Sequence, residues 1–386
     1  MAGLTPIERL FLALLVALTA LAGLANYDTW APVPRFALAT FALAGLAWVV
    51  SFATEALGER FGPGVTGMLQ STLGNLPELF VVIFALKKAE LIVAQTAIIG
   101  SVFANALLVL GLVIVVGARR APDGLMRFSK RLPRDTTTLL SVTSFIIVLL
   151  GLSLASHDPA SHHVKTISAI GAGCLLVVYL TWAVPYLRAD SAPGGGDAAL
   201  APGGGDTHLA PGGGDANLAP DGGDADGVPG GRGPRLTLPA TLVLLVLGGG
   251  ASAFVSEWFI GALAPAIKQL HISQAFAGLV IVAIAGNAVE NAAGLNLAYK
   301  RRSNHAISVV KNSVAQVAAF LFPALVLVSF ALPTTLTFAL APVYIGAFVL
   351  TALALWQVAG DGQAAEFEGW ALVALYVILA TLTLYE

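Results

Sequence analysis

Two short motifs place glutamates where a charged side chain is unexpected. The sequence GNLPE at residues 74–78 recurs as GNAVE at residues 286–290, and each copy lies inside a long apolar stretch. An ionisable side chain within a membrane span is costly and usually marks a path for ions or protons. Carboxylate, amide and carbonyl oxygens are the ligands that a hard cation such as Ca²⁺ prefers. The repeated motif therefore predicts a cation site with Glu78 and Glu290 as metal ligands.

Neighbouring apolar stretches carry further oxygen ligands at matching distances. Ser101 follows Glu78 by 23 positions, and Ser313 follows Glu290 by the same 23 positions. Uncharged polar side chains also hold membrane helices together through hydrogen bonds, so each has a purely structural alternative. The full predicted cation and proton site consists of Glu78, Glu290, Asn75, Asn287, Ser101, Asn105, Ser313 and Gln316.

Burial of the two carboxyl groups also predicts their coupling to protons. Desolvation favours the neutral, protonated form of a carboxyl group, so protons compete with a cation for the same oxygens. We expect Glu78 and Glu290 to hold either a metal ion or protons, which is the minimum requirement for exchange. Pro77 lacks a backbone donor and predicts a kinked helix with an unpaired carbonyl near Leu73.

Four further residues are accessory candidates: Glu55, Glu257, Asn291 and Lys311. Glu55 is expected at the inner end of its span and Glu257 at the outer end of the matching span. Each either attracts cations at an entrance of the ion path or is an ordinary charged residue at the boundary with water. Lys311 lies within a span and either extends partly toward the inner surface or pairs with Glu290. In a pair, its ammonium would replace one bound cation and favour a monovalent ion or an altered stoichiometry.

The elements that position these residues are predicted to be membrane-spanning helices. The 386 residues are 57% hydrophobic and 11% charged, far from the roughly 25% charged residues of soluble domains. Hydrophobic runs of about 18–25 residues suffice to cross a bilayer. Eleven such runs occur, at residues 8–26, 35–54, 64–87, 91–117, 136–155, 164–187, 236–260, 274–299, 304–330, 334–357 and 367–385. A cleaved signal peptide is the alternative for the first run.

A Gly-, Pro- and Asp-rich segment divides the chain into two halves. Blocks of APGGGD recur within residues 189–234, and this composition predicts a disordered linker. A solvated tether is preferred over a weak reservoir for divalent cations. The predicted organisation is a first helix in residues 1–33, a five-helix repeat in 34–188, the linker, and a second five-helix repeat in 235–386.

The predicted fold is therefore an all-α polytopic membrane protein with eleven transmembrane helices. An odd number of spans per repeat inserts the two halves in opposite orientations, so the last ten helices form two inverted five-helix repeats with the site between them. Alternating the connections from an inside N-terminus places 14 Lys and Arg residues inside and 5 outside. The N-terminus and linker are expected in the cytoplasm and the C-terminus outside a bacterial plasma membrane.

The motifs resemble the two repeat signatures of the calcium/cation antiporter superfamily, specifically its cation/proton exchanger branch of Ca²⁺/H⁺ antiporters. The resemblance covers roughly residues 45–117 and 250–330. It rests on Ala53-Thr54-Glu55, the two GNxxE motifs, Gly100-Ser101 with Asn105, Ser256-Glu257, and Ser313 with Gln316. It implies eleven helices with inverted repeats, an acidic cytoplasmic linker, and Glu78 and Glu290 as the central carriers.

This sequence departs from the family pattern at three places. Leu76-Pro77 stands where a small residue and Thr are usual, and Asn291 occupies a position that is typically His. Lys311-Asn312 replaces an apolar residue and Gly. The last two departures lie near the second glutamate, where they bear on ion selectivity.

These observations predict a secondary active cation/proton antiporter, with Ca²⁺/H⁺ exchange as the leading hypothesis. A Na⁺(K⁺)/H⁺ antiporter is the alternative within the class, and a cation channel is the alternative from another class. The spans contain no visible nucleophile, Asp pair or His cluster, so no enzyme is expected. The expected partners are the cation, protons and the bilayer, without a cofactor or nucleic acid.

Overall fold

A computed structural model of the protein describes residues 5–28, 30–58, 73–129, 131–190 and 236–386. For residues 58, 131–133, 185–190 and 289 it describes the backbone alone. The predicted linker lies outside the described residues except for its first two positions, which belong to a helix.

Helices joined by short connections make up nearly all of the described chain. The helices are α1 (Pro6–Tyr27), α2 (Pro32–Gly58), α3 (Leu76–Lys87), α4 (Leu91–Arg120), α5 (Arg131–Ser156), α6 (Val164–Asp190), α7 (Leu238–Leu270), α8 (Gln274–Gly286), α9 (Ala288–Tyr299), α10 (Ser303–Ser329), α11 (Pro342–Ala359) and α12 (Glu366–Leu384). Two short strands are β1 (Leu125–Arg127) and β2 (Gln363–Ala365).

Most of these helices are long and apolar enough to cross a membrane. The described residues contain nine such helices, and the bent pair α8 and α9 makes ten if it counts as one span. This confirms an all-α polytopic membrane protein. The predicted span at 64–87 is described only from residue 73 onward, so its first part lies outside the described residues.

The boundary predicted for the tenth span is wrong at its start. That span was placed at 334–357, whereas α11 begins at Pro342. The preceding apolar residues form an irregular segment whose Leu336 and Phe338 side chains are fully buried. Buried irregular backbone requires hydrogen-bond partners within the protein. The hydroxyl of Ser329 supplies one, because it accepts a hydrogen bond from the amide of Leu336 at 2.8 Å.

Residues without bulky side chains let α4 and α8 cross with their backbones in contact. A Cβ atom added to Gly100 would lie 2.5 Å from the Cα of Leu279. A Cβ atom added to Gly278 would lie 2.1 Å from the hydroxyl oxygen of Thr96. Small residues permit this close approach between membrane helices. The crossing brings the polar part of α4 next to the end of α8.

Both α4 and α10 contain a π-helical turn in their middle. The turn in α4 spans Ala104–Val109, shortly after Ser101, and the turn in α10 spans Val317–Leu321, shortly after Ser313. A third π-helical turn lies in α8 at Ala277–Val282. Such turns are rare and often occur at functional sites. The turns in α4 and α10 make these two serine-bearing helices alike in shape as well as in sequence.

Contacts between connections occur at both ends of α4. At one end, β1 pairs antiparallel with β2, which joins the connection after α4 to the connection before α12. At the other end, the side-chain amide of Gln274 donates a hydrogen bond to the Glu90 carboxylate at 2.9 Å. The strands were not predicted, because three-residue segments carry too little alternation to be recognised in a sequence.

Candidate cation and proton site

Both motifs interrupt their helices at the asparagine. Asn75 has φ −85° and ψ 9°, and Asn287 has φ −98° and ψ 13°. A new helix starts at the following residue in each case, and α8 and α9 are bent by 60° at the break. We predicted a kink from Pro77, but the second motif breaks at the equivalent residue without a proline. The shared Asn conformation is therefore the common feature of the two breaks.

The break places each glutamate in the first turn of a helix. Glu78 lies in the first turn of α3 and Glu290 in the first turn of α9. Unpaired backbone N–H groups and the helix dipole make a helix N-terminus favourable for negative charge. This local geometry stabilises carboxylates at a depth where water is scarce.

Two side chains from other helices hold the carboxyl group of Glu78. The hydroxyl of Ser101, from α4, donates a hydrogen bond to Oε1 of Glu78 at 2.6 Å. The side-chain amide of Asn287 donates to the same oxygen. The second oxygen, Oε2, is buried and has no hydrogen-bond partner among the described residues. A buried acceptor without a partner is costly, so this oxygen is an open position for a cation or a proton.

Asn105 extends this network to α10. Its Nδ2 donates hydrogen bonds to Oδ1 of Asn287 and to the hydroxyl of Ser313, both at 2.9 Å. The carbonyl oxygen Oδ1 of Asn105 is buried and lacks a partner in the part of the chain that the structure describes. The network therefore offers a second open oxygen ligand beside the carboxylate.

The glycine of each motif lies against the glutamate of the other motif. A Cβ atom added to Gly74 would lie 3.4 Å from Oε1 of Glu290. A Cβ atom added to Gly286 would lie 2.7 Å from both Cγ and Oε1 of Glu78. This reciprocal packing brings the two motifs together, although they lie in opposite halves of the chain.

The other predicted ligands are less closely tied to this network. Gln316 is buried, but no hydrogen bond joins it to the network within the described residues. Asn75 is buried at the first helix break. Oδ1 of Asn291 is buried without a hydrogen-bond partner among the residues described. Gln316 and Asn291 are therefore not part of the hydrogen-bonded centre that the described residues form.

The glutamates predicted as entrances are both exposed, but the helix that carries Glu257 extends beyond its predicted end at residue 260. Glu55 lies near the end of α2, as expected. Glu257 does not lie at the end of its helix, because α7 continues to Leu270. The additional turns are stabilised by a buried apolar face that includes Phe259 and Leu263. Glu257 is therefore exposed along the side of a long helix.

Of the two arrangements considered for Lys311, the ion pair with Glu290 is not formed among the described residues. The side chain of Lys311 is only 1% exposed, and Nζ has no hydrogen-bond partner within the described chain. Successive helical residues rotate by about 100°, so Lys311 and Ser313 point in nearly opposite directions. Ala315, one turn beyond Lys311, belongs to a buried apolar cluster with Leu139 of α5 and Tyr179 of α6. The lysine therefore faces α5 and α6, away from the carboxylate network.

We expect Lys311→Met to stabilise the protein. The substitution removes a buried polar group without a partner, whose cost is about 1–3 kcal/mol, and retains a flexible side chain of similar length. Thermal unfolding in detergent should show a higher Tm than wild type, whereas Lys268→Met at an exposed position should leave the Tm unchanged. A lower Tm for Lys311→Met would show that the ammonium has a stabilising partner.

Two features of the site were missed by reasoning from the sequence. The first is the helix break in the second motif, and the second is the contact of each glycine with the opposite glutamate. The signal for both was present, because Gly and Asn recur at the same positions of both motifs. The role that the Gly and Asn residues share in the two motifs becomes clear only in the folded protein, where the two halves are in contact.

Comparison with known proteins agrees with this architecture. The family model described as "Sodium/calcium exchanger protein" matches residues 32–185 and 240–385. The chain is 30% identical over 374 residues to a Ca²⁺/H⁺ antiporter of a Synechocystis species, covering 97% of this chain and 96% of that protein. It is 27% identical over 379 residues to a Ca²⁺/H⁺ antiporter of Bacillus subtilis, covering 97% and 98%.

Solved structures show the same fold. The solved structure of native YfkE superposes with a TM-score of 0.75 at 24% identity, covering 97% of this chain and 100% of that chain. The H⁺/Ca²⁺ exchanger CAX superposes with a TM-score of 0.69 at 13% identity, covering 98% and 93%. This chain therefore belongs to the sodium/calcium exchanger family, in the cation/proton exchanger branch of the calcium/cation antiporter superfamily.

Proposed function

We propose that this protein exchanges Ca²⁺ for protons across a membrane by alternating access, with Glu78 and Glu290 as the shared carriers. The proposal rests above all on the reciprocal packing of the two motifs, which sets both carboxyl groups beside one buried polar network. The names of the relatives in Synechocystis and Bacillus support Ca²⁺ and H⁺ as the exchanged ions.

The oxygen atoms of the network suit a hard cation. Oε2 of Glu78 and Oδ1 of Asn105 have no hydrogen-bond partner among the described residues. The hydroxyls of Ser101 and Ser313 can accept as well as donate, and Glu290 adds a second carboxylate. Carboxylate, carbonyl and hydroxyl oxygens are ligands that Ca²⁺ accepts in flexible geometry. Two carboxylates balance the charge of one Ca²⁺, and protons replace it when they bind the same oxygens.

The proposed architecture has eleven spans, of which the last ten form two inverted five-helix repeats. Three similarities between the halves support it: the Asn conformations at the breaks, the π-helical turns in α4 and α10, and the equal Glu–Ser spacing. The β1–β2 pair at one end of α4 and the Gln274–Glu90 hydrogen bond at its other end support the order of the spans. Helices broken at the site of ion binding are a recurring feature of secondary transporters.

The proposed setting is a bacterial plasma membrane with the N-terminus and linker in the cytoplasm. The excess of Lys and Arg in alternate connections supports this orientation. Ca²⁺ would then leave the cytoplasm as protons enter.

Flux measurements in proteoliposomes test the proposed function. The purified protein is reconstituted with an imposed proton gradient, and a lumenal pH dye reports proton movement after addition of Ca²⁺, Na⁺ or K⁺. We expect Ca²⁺ to dissipate the gradient and to accumulate against its own concentration difference. If only Na⁺ or K⁺ dissipated the proton gradient, that ion rather than Ca²⁺ would be the substrate. Ca²⁺ flux that neither moves protons nor responds to the gradient would indicate a channel and overturn the proposal.

A further inference from the structure

A groove opens on the outer surface of the bundle between α5 and α11. It has a volume of about 750 Å³ and is lined by Arg134, Thr137, Thr138, Ser141, Val142, Phe145, Trp356 and Gly360. Farther along the same two helices, a Cβ atom added to Gly151 would lie 2.1 Å from Cδ1 of Ile345. The helices thus pack closely near one membrane face and leave the groove near the other.

The mouth of the groove carries an unpaired positive charge. Arg134 is exposed and lies in the first turn of α5. Within the described residues, its guanidinium has no carboxylate partner and no hydrogen-bond acceptor. Basic side chains at the ends of membrane-spanning helices lie at the level of the lipid phosphates. The guanidinium is therefore available to an anionic group at the membrane surface.

Hydroxyl groups follow the arginine on the same helix. The hydroxyl of Thr138 donates a hydrogen bond to the carbonyl of Arg134 at 2.9 Å, and that of Ser141 donates to the carbonyl of Thr137 at 2.7 Å. Each oxygen can still accept a hydrogen bond, because a hydroxyl has two acceptor lone pairs. Hydroxyl groups of a polar ligand would find acceptors here.

The inner part of the groove is apolar. Phe145 is 66% exposed and Trp356 is 63% exposed, so both present large apolar surfaces outside the bundle. Arg134 and Phe145 are eleven residues apart, or about 16 Å at 1.5 Å per residue. This is about half of a hydrocarbon core of roughly 30 Å, which is the depth of one leaflet. The groove therefore changes from charged to apolar over the length of one lipid.

We propose that this groove binds an anionic glycerophospholipid, with its phosphate at Arg134 and an acyl chain along Phe145 and Trp356. A guanidinium forms strong charge-assisted hydrogen bonds with phosphate, and a headgroup with net negative charge retains that attraction. The glycerol hydroxyls of phosphatidylglycerol complement the acceptors of Thr138 and Ser141. The lipid lies in the leaflet next to β1 and β2. The site involves none of the transport motifs, so it is independent of the proposed function.

Quenching of Trp356 fluorescence by brominated lipids tests this site directly. The protein contains 6 Trp residues, so the Trp356 signal is taken as the difference between wild type and Trp356→Phe. Both are reconstituted in phosphatidylcholine with increasing fractions of brominated phosphatidylglycerol or brominated phosphatidylcholine. We expect Trp356 to show about a fivefold preference for the anionic lipid, as expected for one basic residue at a membrane surface.

Variants at the mouth of the groove distinguish a site from general surface charge. The Trp356 signal is measured in each by pairing the variant with its Trp356→Phe double mutant. Arg134→Gln should abolish the preference, whereas Arg134→Lys should keep most of it. Lys300→Gln removes an exposed charge from the same face outside the groove and should keep it fully. Equal quenching by both lipids in wild type would overturn the proposal, as would equal losses in Arg134→Gln and Lys300→Gln.

Discussion

Replacing Glu78 by glutamine is expected to reduce Ca²⁺-driven proton flux by at least about 100-fold. The substitution keeps the size of the side chain but removes both the negative charge and the titratable proton. Loss of one partner from a buried charged interaction costs about 3–5 kcal/mol, and each 1.4 kcal/mol is about tenfold in binding. The hydroxyl of Ser101 and the amide of Asn287 can still donate to the remaining carbonyl oxygen, so the helices should stay in place.

The measurement is Ca²⁺ uptake and proton release in proteoliposomes that contain equal amounts of folded protein. Glu366→Gln is the matched control, because it removes a carboxylate from an exposed ion pair with Arg119. Surface ion pairs contribute little, so this variant should transport normally. Wild-type proton-coupled flux in Glu78→Gln would show that this carboxyl group does not carry the ions.

Alanine substitutions at the two motif glycines are expected to have unequal effects. In Gly286→Ala the new methyl group would lie 2.7 Å from Cγ of Glu78, so the glutamate must move and lose its hydrogen bonds to Ser101 and Asn287. Overpacking of this kind costs about 1–3 kcal/mol, and we expect transport to fall about tenfold. In Gly74→Ala the methyl group reaches only contact distance from Glu290, and transport should stay within about twofold of wild type.

Transport rates and thermal unfolding of both variants test this difference. Each alanine favours helix over glycine to the same degree, so the pair controls for backbone effects. The apparent affinity for Ca²⁺ should weaken in Gly286→Ala, because the displaced carboxylate is a proposed ligand. Equal rates in the two variants, or a larger loss in Gly74→Ala, would contradict the observed packing of glycine against glutamate.

The two experiments together distinguish the effect of charge at the site from the effect of side-chain packing. Glu78→Gln changes charge with little change in shape, whereas Gly286→Ala changes shape with no change in charge. If both variants fail while Gly74→Ala and Glu366→Gln remain active, the transport site is located at the crossing of the two motifs. That crossing lies between helices whose first turns favour negative charge.

The sequence alone determined the membrane class, most helix positions and the identity of the two motifs. Long apolar runs must form helices in lipid, because every backbone polar group then finds a partner within its own segment. Ionisable residues inside such runs are rare enough to mark a site without any knowledge of the fold. The equal spacing of Glu78 to Ser101 and of Glu290 to Ser313 was also readable, because local sequence order alone defines it.

Side-chain direction and helix breaks required the tertiary structure. Lys311 was expected either to extend toward the inner surface or to pair with Glu290, but its orientation depends on which neighbours pack around α10. The segment before α11 was predicted as helix from its apolar composition, yet it is irregular because polar side chains satisfy its backbone. Neither fact follows from periodicity, since both depend on contacts with distant residues.

The assembly of the site was likewise decided by the tertiary structure. Asn105 reaches Asn287 across 182 positions of the chain and Ser313 across 208 positions. A sequence identifies which residues could act as ligands, because their chemistry is intrinsic to each side chain. A sequence does not specify which of these residues come into contact, because the contacts depend on how closely the helices cross. In this protein the crossings depend on glycines, whose missing side chains leave room for residues of the opposite half.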